Sequence, residues 1–256
     1  MRGKRAAAVC LVALVALSGC TDKSDKSAEN GAVASAAPTV EASDPATAFK
    51  AAVTKTNQAT MTFTIDADLG TLGSQKASGA ADPKAKATGY HSDLTLSGQS
   101  VTIDAILVGS DLYLKVPGVT SGDRWAHMDM TKVKSLSKLG LDASGNPTNL
   151  GTLDAEVVTV TRTAPGAYSG TLDRTKNPVV ASAGGVSEAL KSVPFEATVN
   201  PQGYVTSLVI RTPPVGSGPA STSTSKFADF AQPIAIERPD SAEVQQAPDE
   251  LYQALQ

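Results

Sequence analysis

The only cysteines are Cys10 and Cys20, both within the first twenty residues, so the body of the chain can form no disulfide, thiolate metal site or cysteine nucleophile. Histidine is nearly as scarce: His91 and His127 stand alone, with no partner at a recognised metal-ligand spacing. His127 and Asp129 would share a strand face and could form at most a weak site. A rim histidine beside a helix cap is the better reading. Aromatic residues make up 4 % of the chain. The formal charge of −3 rules out the basic footprint of a nucleic-acid binder.

Catalytic motifs are missing too. There is no Gly-x-Ser-x-Gly elbow, no His-Glu-x-x-His and no phosphate loop. Ser135-Leu136-Ser137-Lys138 and Ser223-Thr224-Ser225-Lys226 match Ser-x-x-Lys, but the boxes that accompany it in acyl-enzymes are absent and the chain is rich in serine. Asp66 and Asp68 alternate on the polar side of a strand and read as solvated charges. The expectation is a protein that is not an enzyme and needs no cofactor or metal.

What the chain does have begins at its start. Met1-Arg2-Gly3-Lys4-Arg5 leads into one unbroken apolar run, Ala6 to Leu17. Twelve residues at ~1.5 Å each fall well short of a ~30 Å hydrocarbon core, so the run suits a removable signal peptide rather than a span. It ends in Leu17-Ser18-Gly19-Cys20, which resembles the lipobox of bacterial lipoproteins. That resemblance implies cleavage between Gly19 and Cys20, removal of residues 1–19, and acylation of Cys20. Two or three acyl chains would anchor the protein firmly, at roughly 0.8 kcal/mol per buried CH₂. The expected location is the outer face of the cytoplasmic membrane. Cleavage takes three of the 22 cations and none of the 25 acids, leaving a mildly acidic mature chain.

Thr21 to Ser43 is built from Ser, Ala, Asp, Lys, Glu and Gly and reads as a tether, so residues 20–43 hold no fold. Asp44-Pro45 is an N-cap followed by proline at the first helical position. Phe49, Ala52, Val53 and Thr56 then recur at helical spacing, which predicts a helix over 45–57. Met61, Phe63, Ile65 and Ala67 alternate with polar residues as a half-buried strand. Strand-like runs follow at 76–81, 88–96, 101–108 and 112–116, the spacing of an antiparallel meander. Trp125 to Asp129 leads to a second predicted helix, Met130 to Leu139, stopped by Gly140, and a loop over 142–152. Strands resume at 156–163 and 167–172, while 173–192 is ambiguous. Phe195 to Val199, a type I turn at Asn200-Pro201-Gln202-Gly203, and Tyr204 to Ile210 form a hairpin. The polar run Ser221 to Lys226 reads as a solvent-washed edge strand, Ile234 to Arg238 as the strand that closes the sheet, and 246–256 as a tail.

Some ten strands and two narrow helical stripes leave a surplus apolar sheet face, which must close on itself, pair with another chain or hold an apolar ligand. The order of lipobox, tether, helix, meander, Trp-containing segment and C-terminal hairpins resembles the actinobacterial lipoproteins of the LppX/LprG type and their LolA-like relatives. The local echoes are Asp111 to Val116, Trp125 to Asp129, Pro194 to Tyr204, and Ser225 to Phe230 ahead of Pro239. The resemblance implies one α+β domain over 44–245, a strongly curved antiparallel half-barrel with two or three helices on its concave face. It also implies a cavity that takes acyl chains of lipids or glycolipids for transport or sensing. The alternative is an envelope interaction module of the same fold with a closed core, docking a protein through the Ser221 to Lys226 edge. No ligand-contacting residue carries a sharp motif.

Overall fold

A computed structural model describes residues 44–254 apart from 119, 121, 134–136, 138, 139, 143, 144, 149 and 183–186. The signal segment, Gly19, Cys20 and the tether lie outside the described residues.

Helix α1 spans Pro45–Asn57, as its cap and spacing predict. The Asp44 carboxylate accepts from the Thr47 backbone N–H at 2.9 Å, satisfying one of the first-turn donors. Hydrogen bonding from Thr47 holds that carboxyl below the usual carboxylate range. Its stripe of Phe49, Ala52, Val53 and Thr56 is buried. Thr56 ties the far end down: its hydroxyl donates to the Ala52 carbonyl at 2.7 Å and accepts from the Val205 N–H at 2.9 Å.

Twelve strands form one sheet. They are β1 (Met61–Asp68), β2 (Gly73–Asp82), β3 (Ala87–Leu96), β4 (Gln99–Val108), β5 (Asp111–Lys115) and β6 (Trp125–Asp129). Then come β7 (Val157–Ala164), β8 (Ala167–Leu172), β9 (Val193–Val199), β10 (Val205–Thr212), β11 (Ser221–Ala228) and β12 (Val244–Gln246). The order across the sheet is β12-β6-β5-β4-β3-β2-β1-β11-β10-β9-β8-β7. It comprises two antiparallel meanders, β1 to β6 and β7 to β11, joined where β1 pairs with β11; only the short β12–β6 pair is parallel. The sheet is open and curved, with few helices, as the α+β half-barrel expectation has it.

The inner face is the apolar one. On β1, Met61, Phe63, Ile65 and Ala67 are buried while Thr64, Asp66 and Asp68 are exposed. Two separate clusters cover it. Under α1 lie Phe49, Val53, Met61, Phe63, Phe195, Leu208 and Phe227, with Leu150 and Leu153; Phe49 stacks on Phe195 at 5.1 Å between ring centroids. At the other end Leu107, Leu112, Leu114 and Met128 pack with Ala247, Leu251 and Tyr252. Among the described residues Tyr90 is the one that packs against both.

Four expectations need correction. The run Ser221 to Lys226 is not an edge: β11 lies between β1 and β10, at the seam of the two meanders. It reads as polar because Ser223 and Ser225 face the inner side, where a cavity lies. Ile234 to Arg238 forms no strand. The segment runs over the outer face instead, with Ile236 against Gly89 and Arg238 donating to Asp111 at 3.0 Å. The helix expected from Met130 is a single turn over Met130–Lys132, after which Val133 is extended; residues 134–136, 138 and 139 lie outside the described residues. Two short helices carry no clear sequence signal, α2 (Leu153–Glu156) and α3 (Pro178–Ser182), the latter in the ambiguous stretch. Lastly, 246–256 is no bare tail. Helix α4 (Asp249–Ala254) follows β12, and its Tyr252 hydroxyl accepts from the Asp129 N–H at 2.8 Å.

Candidate ligand cavity

A cavity of about 280 Å³ lies on the concave face. Its sheet wall crosses the seam of the two meanders: Ile65, Ala77, Tyr90 and Ile103 from β1 to β4, and Leu208, Ile210, Ser223 and Ser225 from β10 and β11. The roof is Gly140, Pro147, Thr148 and Leu153 with Arg174 and Val179. A water takes ~30 Å³ of liquid, so the space equals about nine waters. That is near the lower bound for small-ligand pockets.

The lining is mixed rather than purely apolar. Gln75 and Thr212 add to the serines, and Gln75 donates to the Ser92 hydroxyl at 3.1 Å. The Tyr90 hydroxyl has no hydrogen-bond partner among the described residues, and burial pushes its pKa up to about 12, so it stays a neutral donor.

Among the described residues Arg174 is the one cation of the lining, and its charge is already matched. Its Nη1 donates to Oε2 of Glu156 at 2.6 Å, and Glu156 is fully buried. The other carboxylate oxygen accepts from Asn177 Nδ2 at 2.8 Å and from Thr152 Oγ1 at 2.5 Å. Asn177 in turn accepts from the Val179 N–H at 2.9 Å, at the start of α3. This network fastens the roof segment to the base of β7, and among the described residues it leaves the cavity lining without net charge. An ionised ligand would enter unpaired, at a cost of several kcal/mol. An uncharged one with an apolar body and a hydroxyl or two would meet its own kind of surface.

The sequence-selected residues fall elsewhere. His91 sits on the outer face, about half exposed, with Nδ1 2.7 Å from Asp104 and Nε2 3.3 Å from Asp93. The hydrogen bond with Asp104 raises its pKa. It lines an open trough of about 740 Å³ with Thr64, Asp66, Lys76 and Ser78, larger than the inner cavity but a shallow, solvated surface of mixed charge. His127 and Asp129 do not form a site. His127 pairs through Nε2 with Asp111 at 2.9 Å and stacks on Tyr113, whereas Asp129 accepts from Thr131. Hydrogen bonds from His127 and Arg238 hold the Asp111 carboxyl below its usual range. Among the described residues no group of three or more His, Cys, Asp or Glu could hold a metal ion. Ser223 and Lys226 lie on opposite faces of β11, so that Ser-x-x-Lys match brings no nucleophile to a base.

Sequence reasoning missed Glu156, Arg174 and Asn177, of which Glu156 stands 18 residues before Arg174, and the three carry no motif. The serines of β11 were legible in part, because alternation alone puts Ser221, Ser223 and Ser225 on one face.

No family model and no curated protein sequence matches the chain. Among solved structures it is similar to an uncharacterised conserved protein from Thermus thermophilus, with TM-score 0.39 and 11 % identity, covering 79 % of this chain and 99 % of that one. A LolA superfamily protein from Nitrosomonas europaea follows with TM-score 0.28 and 9 % identity over 81 % and 96 %. A β-barrel-like protein of a domain of unknown function from Brucella abortus gives TM-score 0.19 and 9 % identity over 68 % and 96 %.

Proposed function

We propose that this protein is a lipid-anchored envelope lipoprotein of the LppX/LprG kind, without enzymatic activity, that holds the apolar part of one uncharged amphiphile between its curved sheet and the roof. The observation that carries this reading is the concave cavity itself, whose described lining is aliphatics and hydroxyls with its one cation, Arg174, paired to Glu156. Its size favours one chain or part of one over a two-chain lipid, unless the roof lifts. Anchorage rests on Cys20 and the apolar run before it.

The test is native mass spectrometry, with an organic extract, of the protein exported in an actinobacterial host. A reproducible added mass that matches a neutral lipid or glycolipid supports the reading. A bare protein mass, unchanged after incubation with host lipids, refutes it. For the anchor, Cys20→Ala should release the protein into the medium; a variant that still fractionates with membranes removes that part.

One observation favours a second reading, the interaction module. Strand β7 is a free edge eight residues long, mostly exposed, with Val158 at 54 % exposure. Unpaired edges accept a partner strand, so the docking edge in that reading is β7, not Ser221 to Lys226. Thr161→Pro should then abolish partner capture.

A further inference from the structure

Leu72, Leu96 and Val101 are large apolar side chains left 48, 41 and 40 % exposed, and they lie together. Leu96 pairs with Gly73 across β2–β3, the Ser97 N–H donates to the Leu72 carbonyl at 2.9 Å, and Val101 pairs with Leu94. By alternation Leu94, Leu96 and Val101 face the concave side, on the same strands and the same face as Ser92 and Ile103 of the cavity wall. Leu94 and Val101 are each two residues from that wall, ~6.6 Å along the strand. The apolar lip is therefore continuous with the cavity mouth.

Charge is absent where it would obstruct burial. The segments 69–75 and 94–101 contain no Asp, Glu, Lys or Arg, in a chain that is 18 % charged. The β3–β4 turn at Ser97-Gly98 has positive φ at both residues, 50° and 79°, a tight two-residue hairpin that carries its leucine and valine on a stiff arm. The first charged residues beyond are Asp68, whose carboxylate accepts from the Gly70 N–H at 2.8 Å, Lys76, Asp93 and Asp104, all on the outer face. The arm thus has an apolar inner side, a polar outer side and an uncharged tip.

What could cover this lip is decided by where the chain is tied. The 23 residues between Cys20 and Asp44 can span at most about 85 Å at ~3.6 Å per residue. A lipid on Cys20 would keep the domain within one such length of a bilayer, at an effective concentration that makes even a weak surface contact count. We infer that Leu72, Leu96 and Val101 form a membrane-docking lip that dips into the lipid headgroup region and presents the cavity mouth to the bilayer. The inference rests on the anchored-lipoprotein reading and names its partner: the lipid surface, not a protein.

In the acylated protein the Cys20 thiol is blocked, so Ser97→Cys supplies a single labelling site. The full acylated protein, labelled there with an environment-sensitive dye, is reconstituted in phosphatidylcholine/phosphatidylglycerol vesicles. A blue-shifted emission is expected, together with quenching by lipids carrying a spin label near the headgroup. With Leu96→Asp and Val101→Asp added, the headgroup quenching should fall about tenfold while the anchored fraction and the circular dichroism stay unchanged.

Emission as in water, with equal quenching by iodide in the presence and absence of vesicles, overturns the lip. Shielding that rises with protein density at constant lipid assigns the patch to a second copy and overturns it too. Protein recovered without lipid mass on Cys20 removes the anchor and this inference with it. A protein that docks but never carries an added amphiphile leaves the lip standing and the cargo reading fallen.

Discussion

Replacing Arg174 by alanine should unfold the roof more readily than any exposed substitution, and the size of the effect follows from Glu156. That carboxylate is fully buried and accepts from Arg174 at 2.6 Å, Asn177 at 2.8 Å and Thr152 at 2.5 Å. Without the guanidinium it keeps two neutral donors and an uncompensated charge, and breaking a buried pair in this way costs about 3–5 kcal/mol. The Arg174 side chain is 14 % exposed and faces the cavity, so water can enter where it stood. The lower end of the range, about 3 kcal/mol, is therefore expected. With a urea m-value of about 2 kcal/mol/M, the midpoint should fall by about 1.5 M. Arg174→Met combined with Glu156→Gln removes both charges and lets a glutamine carbonyl accept from Thr152 or Asn177; it should recover at least half of the loss. A single-variant shift below about 0.5 M, or a double variant as unstable as the single, would refute the view that charge pairing holds the roof.

Filling the cavity tests its role: Ser223→Leu should abolish any added ligand mass in native mass spectra while changing stability by less than about 1.5 kcal/mol, since the new side chain enters existing space. Gly170→Ala would place a Cβ 1.9 Å from the Thr159 carbonyl oxygen, so β7 must leave β8; a loss of about 3 kcal/mol and fast amide exchange confined to β7 are expected. His91 has a raised pKa through Asp104, so its contribution is fully present below its ordinary 6.5 and is lost as pH rises through the raised value. It is half exposed, and the pair is worth under about 1 kcal/mol. His91→Gln should therefore lower stability at about pH 5.5 and leave it unchanged at about pH 8; an equal loss at both would show that the imidazole acts by packing, not charge.

Much of the fold was legible because its signals are local. The Asp44-Pro45 start, the β1 alternation and the Asn200-Pro201-Gln202-Gly203 turn each fix a few residues at a time, and the structure has α1, β1 and the β9–β10 hairpin at those places. The failures are non-local. Whether β11 is an edge or a centre depends on β1, some 150 residues earlier, and its inner serines argue for solvent only if no polar cavity exists. Val133, Leu136 and Leu139 carry helical spacing, yet Val133 is extended after the single turn Met130–Lys132 and packs onto the far cluster. At the site itself, hydroxyls and one arginine recruited from five segments leave no spacing to read.

The arrangement of the two cores explains why a cavity persists where a sheet of this size would be expected to collapse. Helix α1 covers the inner face of β8 to β11 and β1, and α4 covers β4 to β6, each with its own apolar cluster. Neither helix reaches the strip between, where among the described residues only Tyr90 packs against both sides. The cavity wall takes in β2 and β3 of that strip and reaches onto β1, β10 and β11 under α1, and there Gln75, Ser92, Ser223 and Ser225 join the aliphatics, residues that lose little by facing water. The roof over it is fastened by the Glu156–Arg174–Asn177 network rather than by a continuous apolar layer. Lifting the roof would uncover Ile65, Ala77, Leu153 and Leu208, which the cluster under α1 shares with the cavity, while Leu112 and Met128 of the far cluster lie apart from it. Under the proposed function the far cluster would hold its end of the sheet together while the cavity opens at the margin of the cluster under α1.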